Sequence, residues 1–504
     1  MPKRIAVIGA GPGGLASAML LASKGFEVDV YEKKPYAGGR NGFIKKDGFT
    51  FDIGPTFLSM PEIAEELFEE AGRNIKEYMD MKELTTMYEL VFPDKDLTMY
   101  KNPAEMKKEL ARVFPGSEEG YERFMKDTRK KMARLKPLLQ NPMDKLYHYA
   151  APNVLRALPQ LSLGKSLYNV LSRYFKEEEL RLGFTFQSKY LGMSPWECPG
   201  AFSILSFMEH EYGIFHPIGG VNQLSQSMAA IVREYGGRIH LGTGVDSFII
   251  KDRRITGLRL EDGGEAEVDE VVVNGDFAHV MSQVMPDGML KKYSKEKLKK
   301  RSYSCSAFMI YLGISGQFDL PHHTIIFADD YKKNVEEITR TMKLPDDPSI
   351  YIQNAGVTDP TLAPEGKSTL YILAPVPNNM SGIDWRTHEK AFRDLVIETV
   401  EKKSGFKGLQ ERIETEIVVT PHHWQQNYYV YEGAVFNLSH HLRQMMVFRP
   451  HNKFEELENC WLAGGGTHPG SGLPTILESA RITTHLIEKK AARAVRRAKA
   501  GEAN

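Results

Sequence analysis

The chain has 504 residues, too many for one simple core, so two or more lobes are expected. Its composition is that of an ordinary globular protein, with 26% charged and 42% hydrophobic residues. Basic and acidic residues both number 65, a formal net charge of zero, which argues against nucleic acid as a partner because a phosphate-binding surface carries a basic surplus. In chain order, residues 5–9 form a short β-branched run that predicts a buried parallel strand. Residues 15–23 follow with a small and apolar helical pattern, and Gly25 is placed to end that helix. Residues 27–31 predict a second strand ending at Glu32, which completes a βαβ unit.

From about residue 74 to 210 the pattern predicts helices, and residues 123–191 are especially rich in Tyr, Phe, Leu and Arg. Gly219 and Gly220 then precede a predicted helix at 224–235. Strands are predicted at 238–241, 245–250, 255–260 and 268–273, with a turn at Asp262-Gly263-Gly264. Strands and loops mix from 291 to 451, and 460–487 read as strand, Gly-rich turn and helix. The class expected is α/β. A discontinuous Rossmann-like lobe is built from 1–75, 215–285 and 455–490. An α+β substrate lobe comes from 76–214 and 286–454, with a helical insertion around 120–200. The tail, 491–504, is basic and is expected to be a frayed helix end or an attraction for anionic lipid.

Cys198, Cys305 and Cys460 are far apart, which argues against a disulfide framework or a zinc site and fits a reducing, cytoplasmic setting. No metal site is expected. No apolar run reaches the roughly 20 residues that cross a bilayer as a helix. Lys3 and Arg4 before an apolar stretch imitate a secretory leader, but Gly9, Gly11, Pro12, Gly13 and Gly14 interrupt it, and a strand, turn and helix fit better.

Three motifs carry chemistry. Gly9-x-Gly11-x-x-Gly14 sits between the first strand and helix: a tight turn, a close approach of backbone to phosphate, and close helix–strand packing. The helix N-terminus offers free N–H groups to a pyrophosphate. Glu32, about 20 residues on, can accept hydrogen bonds from the ribose hydroxyls of an adenosine. Gly38-Gly39-Arg40 then lets backbone reach a long dinucleotide, with Arg40 to neutralise pyrophosphate or order the loop. The third motif, 463–474, runs Ala-Gly-Gly-Gly-Thr-His-Pro-Gly-Ser-Gly-Leu-Pro, a rigid backbone suited to a flat ring, and the helix after it directs its positive end there.

Together with Phe51-Asp52-Ile53-Gly54-Pro55-Thr56, these motifs resemble the flavin fingerprint of the amine oxidase superfamily. The 467–474 run resembles the C-terminal signature of bacterial carotenoid desaturases of the phytoene and diapophytoene type. Tyr303-Ser-Cys-Ser306, Leu362-Ala-Pro-Glu-Gly366, Gly382-Ile-Asp-Trp385 and Phe448-Arg-Pro-His451 look like that family's text as well. The similarity covers about residues 4–487. It implies FAD as cofactor, with Gly9, Gly11, Gly14, Glu32, Gly38, Gly39, Arg40, Gly54, Pro55, Thr56, Val245, Gly465, Gly466, Gly472, Leu473 and Pro474 as expected cofactor contacts.

The reaction implied is repeated oxidation of C–C to C=C along a linear C30 or C40 isoprenoid, with quinone or oxygen as electron acceptor. Terminal-methyl oxidation, polyene isomerisation or saturation, and a flavin-less prenyl escort are the alternatives. His468 is the expected polar participant, orienting the flavin or taking a proton. Arg156 is the second catalytic candidate, although Asn153 stands where the family often carries an acid, which puts an acid–base role there in doubt. Moving such a hydrocarbon from water into lipid gains about 0.8 kcal/mol per carbon, so substrate must be taken from a membrane. The helical insertion, between Arg129 and Arg181, is the expected docking surface of a peripherally associated cytoplasmic enzyme.

Overall fold

The computed structural model describes residues 3–162 and 164–501. Five parallel strands lie side by side in the order Arg238–Leu241, Glu27–Glu32, Arg4–Ile8, Glu270–Val273 and Cys460–Leu462. They come from all three segments expected to build the nucleotide lobe. Alternation along Arg4–Ile8 feeds two cores: Ile5 and Val7 join one, Ala6 and Ile8 the other. The first core is covered by the helix Pro12–Ser23, packed against Gln223–Glu234 and the long helix Leu473–Gly501. The second is covered by the antiparallel strands Val245–Lys251, Arg254–Leu260 and Glu265–Glu267, through Phe248, Ile255 and Leu258. This is the α/β architecture the βαβ signal implied.

A second, seven-stranded sheet runs Ile413–Val419, Ser306–Ser315, Lys367–Val376, Ile350–Gln353, His323–Ile326, Thr86–Val91 and Asp96–Tyr100. Its two faces differ in chemistry because side chains alternate with period two. Ile310, Leu312, Ile326, Ile350, Ile352 and Ile372 fill one face, beneath Trp385, Phe392 and Val396 of the helix Trp385–Lys403. The other face carries Tyr311, Tyr351, Tyr371, His323 and Gln353, which the registers place in adjoining rows.

The helical expectation for 74–210 is corrected at its start. Residues 81–83, 86–91 and 96–100 are strands, and the last two form a hairpin turning at Pro93 and Asp94. Glu89, Lys95 and Asp96 imitate the charged face of a helix, but antiparallel pairing between the two segments, and pairing of residues 89–91 with 324–326, holds them as strands. Past residue 140 the insertion holds short helical turns, before Ile204–Tyr212 resumes a longer helix. The C-terminal helix continues without a break to Gly501, where a frayed end was one expectation, and Lys490 on it bonds buried Glu270.

Candidate active site

A cleft of about 780 Å³ opens at the C-terminal ends of the parallel strands, within the ~300–1,000 Å³ typical of cofactor sites. Gly9, Gly11, Glu32, Gly39, Arg40, Pro55, Val245, Gly465 and Leu473 line it. Gly14, Gly38, Gly54, Thr56, Gly466, Gly472 and Pro474 are not among its lining residues. Two of these glycines are required by contact alone. A Cβ at Gly14 would lie 2.1 Å from the Gly9 carbonyl oxygen, and one at Gly54 would lie 2.6 Å from that of Arg40.

Glu32 ends its strand almost buried. Its Oε2 accepts the Ala10 N–H and its Oε1 the Lys34 N–H, both at 2.8 Å. Burial pushes the carboxyl up, and these two N–H groups oppose that rise. The helix Pro12–Ser23 begins at the cleft, with Gly11, Pro12 and Gly13 on the wall. Opposite, Arg40 Nη1 donates to the Val435 carbonyl at 2.7 Å and lies 4.0 Å from Asp276 Oδ2. With its amide nitrogen toward Asp276, Asn437 donates to Oδ2 at 2.7 Å and accepts from Arg40 Nη2 at 3.3 Å. A cation is thus held beside the helix N-terminus, as a pyrophosphate requires.

The glycine loop at 464–472 is fixed from beneath. Arg449, fully buried, donates from Nη2 to the Gly465 carbonyl at 2.6 Å and from Nε to that of Thr467 at 3.1 Å. Burial pulls this guanidinium down to about 9, so it keeps its charge at neutral pH. Asn452 Nδ2 donates to the His468 carbonyl, and His440 Nε2 accepts the Ser471 N–H at 3.2 Å.

The 53–56 loop is held by the tyrosine face of the large sheet. Tyr311 donates to the Ile53 carbonyl at 2.6 Å, Tyr371 to that of Gly54 at 2.8 Å, and Gln353 to that of Thr56 at 3.0 Å. The Tyr351 hydroxyl lies 2.5 Å from Thr56 Oγ1. Asp52 acts elsewhere, because its carboxylate accepts the N–H groups of Val221 and Asn222 and fixes the entry to the helix Gln223–Glu234.

Neither catalytic candidate lines the cleft. His468 is buried, and its Nε2–H donates to the Asn141 carbonyl at 3.0 Å. Burial holds the ring down to about 4, hence neutral at pH 7. Arg156 is exposed on the short helix Pro152–Ala157, and the Asn153 side chain lies outside the described residues. Sequence reasoning missed Asn274, Asp276, Asn437 and the role of Arg449. Asn274 Nδ2 donates to the Gly9 carbonyl, and its side chain occupies the space beside Gly11 and Gly13. Its signal was position: it follows Glu270–Val273 as Gly9 follows Arg4–Ile8.

The residues fit a flavin dinucleotide. A Cβ at Gly39 would stand 3.5 Å from Gly11 Cα, so only backbone borders the space between the two loops. A carboxylate stands at one end of the cleft, and the Gly464–Gly465 backbone with a second helix N-terminus stands at the other.

Fold and cleft define a flavin-dependent oxidoreductase of the two-lobed kind, and the chain belongs to the flavin containing amine oxidoreductase family, whose family model matches residues 12–487. Its cofactor is FAD. Within that family it belongs with the carotenoid desaturases. It is 48% identical over 488 residues to a 4,4′-diapophytoene desaturase (4,4′-diapolycopene-forming) of Methylomonas sp, covering 97% of this chain and 96% of the relative. It is 37% identical to the zeta-carotene-forming phytoene desaturase of Myxococcus xanthus, covering 96% and 93%. The same fold occurs in an oxidoreductase from Methanosarcina mazei, with a TM-score of 0.63, 17% identity, and 95% and 99% of the two chains covered.

Proposed function

We propose that this protein desaturates a linear C30 carotenoid precursor of the 4,4′-diapophytoene type, stepwise, on substrate drawn from a membrane surface. The 48% identity to the Methylomonas enzyme, sustained over almost the whole of both chains, carries this reading. Bound FAD supplies two-electron oxidation of the allylic C–H bond. The chain's own residues bind and orient. Glu32 would accept the ribose hydroxyls, while the N-terminus of Pro12–Ser23 and Arg40 would hold the pyrophosphate. The Gly464–Gly465 backbone and the N-terminus of Leu473–Gly501 would border the ring and favour negative charge there. His468, neutral and tied to Asn141, positions the glycine loop from behind.

Among the described residues no helix is long and apolar enough to cross a membrane. An exposed apolar patch supports docking instead. Tyr147 is 71%, Leu155 51%, Leu442 48% and Phe448 56% exposed, with Arg156 beside Leu155 and Arg443 beside Leu442. The Tyr149 hydroxyl meets the Val447 backbone, which joins the two segments carrying these side chains. Apolar side chains rimmed by arginine suit the boundary between headgroups and acyl chains. Quinone or oxygen then takes the electrons.

The test is anaerobic incubation of FAD-loaded protein with 4,4′-diapophytoene and with phytoene in liposomes. Loss of the oxidised-flavin absorbance together with longer conjugated polyenes, faster on the C30 substrate, is expected. No bleaching with either hydrocarbon, but bleaching with a fully conjugated polyene, would move the activity to terminal-methyl oxidation.

A further inference from the structure

A second carboxylate lies inside the molecule, away from the cleft wall. Glu209 sits on Ile204–Tyr212 and is 5% exposed. Its two oxygens are not equivalent. Oε2 accepts the Tyr88 hydroxyl at 2.6 Å and Gln187 Nε2 at 2.7 Å, whereas Oε1 has no hydrogen-bond partner among the described residues. No cation pairs with it there either, which is unusual for a buried acid.

Phe186 stands edge-on to Tyr88, the carboxylate's hydroxyl partner, at 5.0 Å. Among the described residues, Tyr88 and Tyr351 are titratable groups that face the carboxylate, and the Tyr351 hydroxyl feels its charge. That hydroxyl bonds Thr56, whose neighbour Pro55 lines the cleft. The carboxylate with its one free oxygen is thus coupled, through Tyr351 and Thr56, to the loop that borders the cleft.

We propose that Glu209 accepts the proton released when the substrate double bond forms. This rests on the desaturase reading above. The substrate gives up a hydride from one allylic carbon, two electrons in all, to the FAD that the reaction reduces. In the same step the neighbouring C–H bond breaks, its electron pair becomes the second bond of C=C, and its proton goes to Glu209 Oε1, so flavin reduction depends on this acceptor. Tyr88 and Gln187 hold Oε2 and so aim Oε1. Burial pushes the carboxyl up to about 7, against these two donors, which suits an acceptor that must also release its proton between steps.

The experiment is single-turnover flavin reduction by 4,4′-diapophytoene in liposomes, for wild type, Glu209→Gln and Tyr88→Phe, across pH. Wild type is expected to speed up as pH rises through about 7, where the carboxylate forms. Glu209→Gln is expected to keep its FAD and melting temperature and to lose roughly 100-fold in rate. Tyr88→Phe removes a donor to the carboxylate, so its pH midpoint moves upward. Infrared spectra without substrate supply an independent reading: the protonated-carboxyl band that titrates in wild type should vanish in Glu209→Gln. A Glu209→Gln protein reducing flavin at the wild-type rate, or a Tyr88→Phe midpoint that does not move, overturns the proposal while leaving the desaturase reading intact. A wild type that never bleaches overturns both.

Discussion

Arg449 Nη2 donates to the Gly465 carbonyl oxygen at 2.6 Å from a fully buried position, so a cation 16 residues upstream sets the backbone that borders the cleft. Arg449→Met keeps the apolar stem but leaves the carbonyls of Gly465 and Thr467 without this donor. Such losses cost about 1–3 kcal/mol for each buried group. The variant should melt well below wild type and purify with less bound FAD, read from flavin absorbance per protein.

Gly14→Ala tests the packing of the first helix on its strand. The new methyl would lie 2.1 Å from the Gly9 carbonyl oxygen, so helix and strand must part. Forcing a methyl into such a site costs about 1–3 kcal/mol. The glycine turn moves with the helix, and FAD titration should show weaker binding even where the protein still folds.

Asp359 gives a pH prediction far from the cleft. Burial pushes this carboxyl up, but His216, Thr361 and the Gly219 N–H together hold it down to about 2. A carboxyl with a lowered folded-state value stabilises above its ordinary value of 3.8 and loses that contribution as pH falls through about 2. The contribution is on the order of 2 kcal/mol. Asp359→Asn should therefore lower the urea midpoint at pH 7 and flatten its decline between pH 4 and 2.

Leu155→Glu with Phe448→Glu tests the docking patch. Each exposed side chain, if buried in lipid, contributes about 1.5–3 kcal/mol, so the pair should weaken vesicle binding at least about 100-fold. Both are exposed, so the melting temperature should hardly change. Flotation with vesicles separates the two effects.

The nucleotide lobe was legible because its signals are local. Gly9, Gly11, Gly14 and Glu32 act through spacings of a few residues to about twenty, and the structure sets the strand and helix ends close to where they were expected. The hairpin at 86–100 was not, because Glu89, Lys95 and Asp96 fall at spacings that also suit a helix, while part of the pairing that makes it a strand comes from residues 324–326. The side chains behind the cleft were less legible still. Arg40 meets Val435 and Asp276, and Tyr371 meets Gly54, across hundreds of residues, so no window of sequence contains both partners. Arg449 could be quoted as part of a family-like run, but its role emerges only when Gly465 and Thr467 are brought over it. Glu209 carries no local signal, since a glutamate in a short amphipathic helix reads as surface until burial is known.

The order of the parallel sheet bears on how the protein is made. Arg4–Ile8 finds one neighbour at residues 27–32 soon after it is synthesised but waits for its second until residue 270 is available. That strand in turn waits for Cys460. At about 5–20 residues per second, the nascent chain spends tens of seconds with the edge of this sheet uncovered. The cleft itself is complete only after the Gly464–Gly465 wall has been synthesised, more than 400 residues after the Gly9–Gly13 wall it faces. Translation pauses between residues 273 and 460 therefore lengthen the time in which the half-built sheet is open to pairing with another chain.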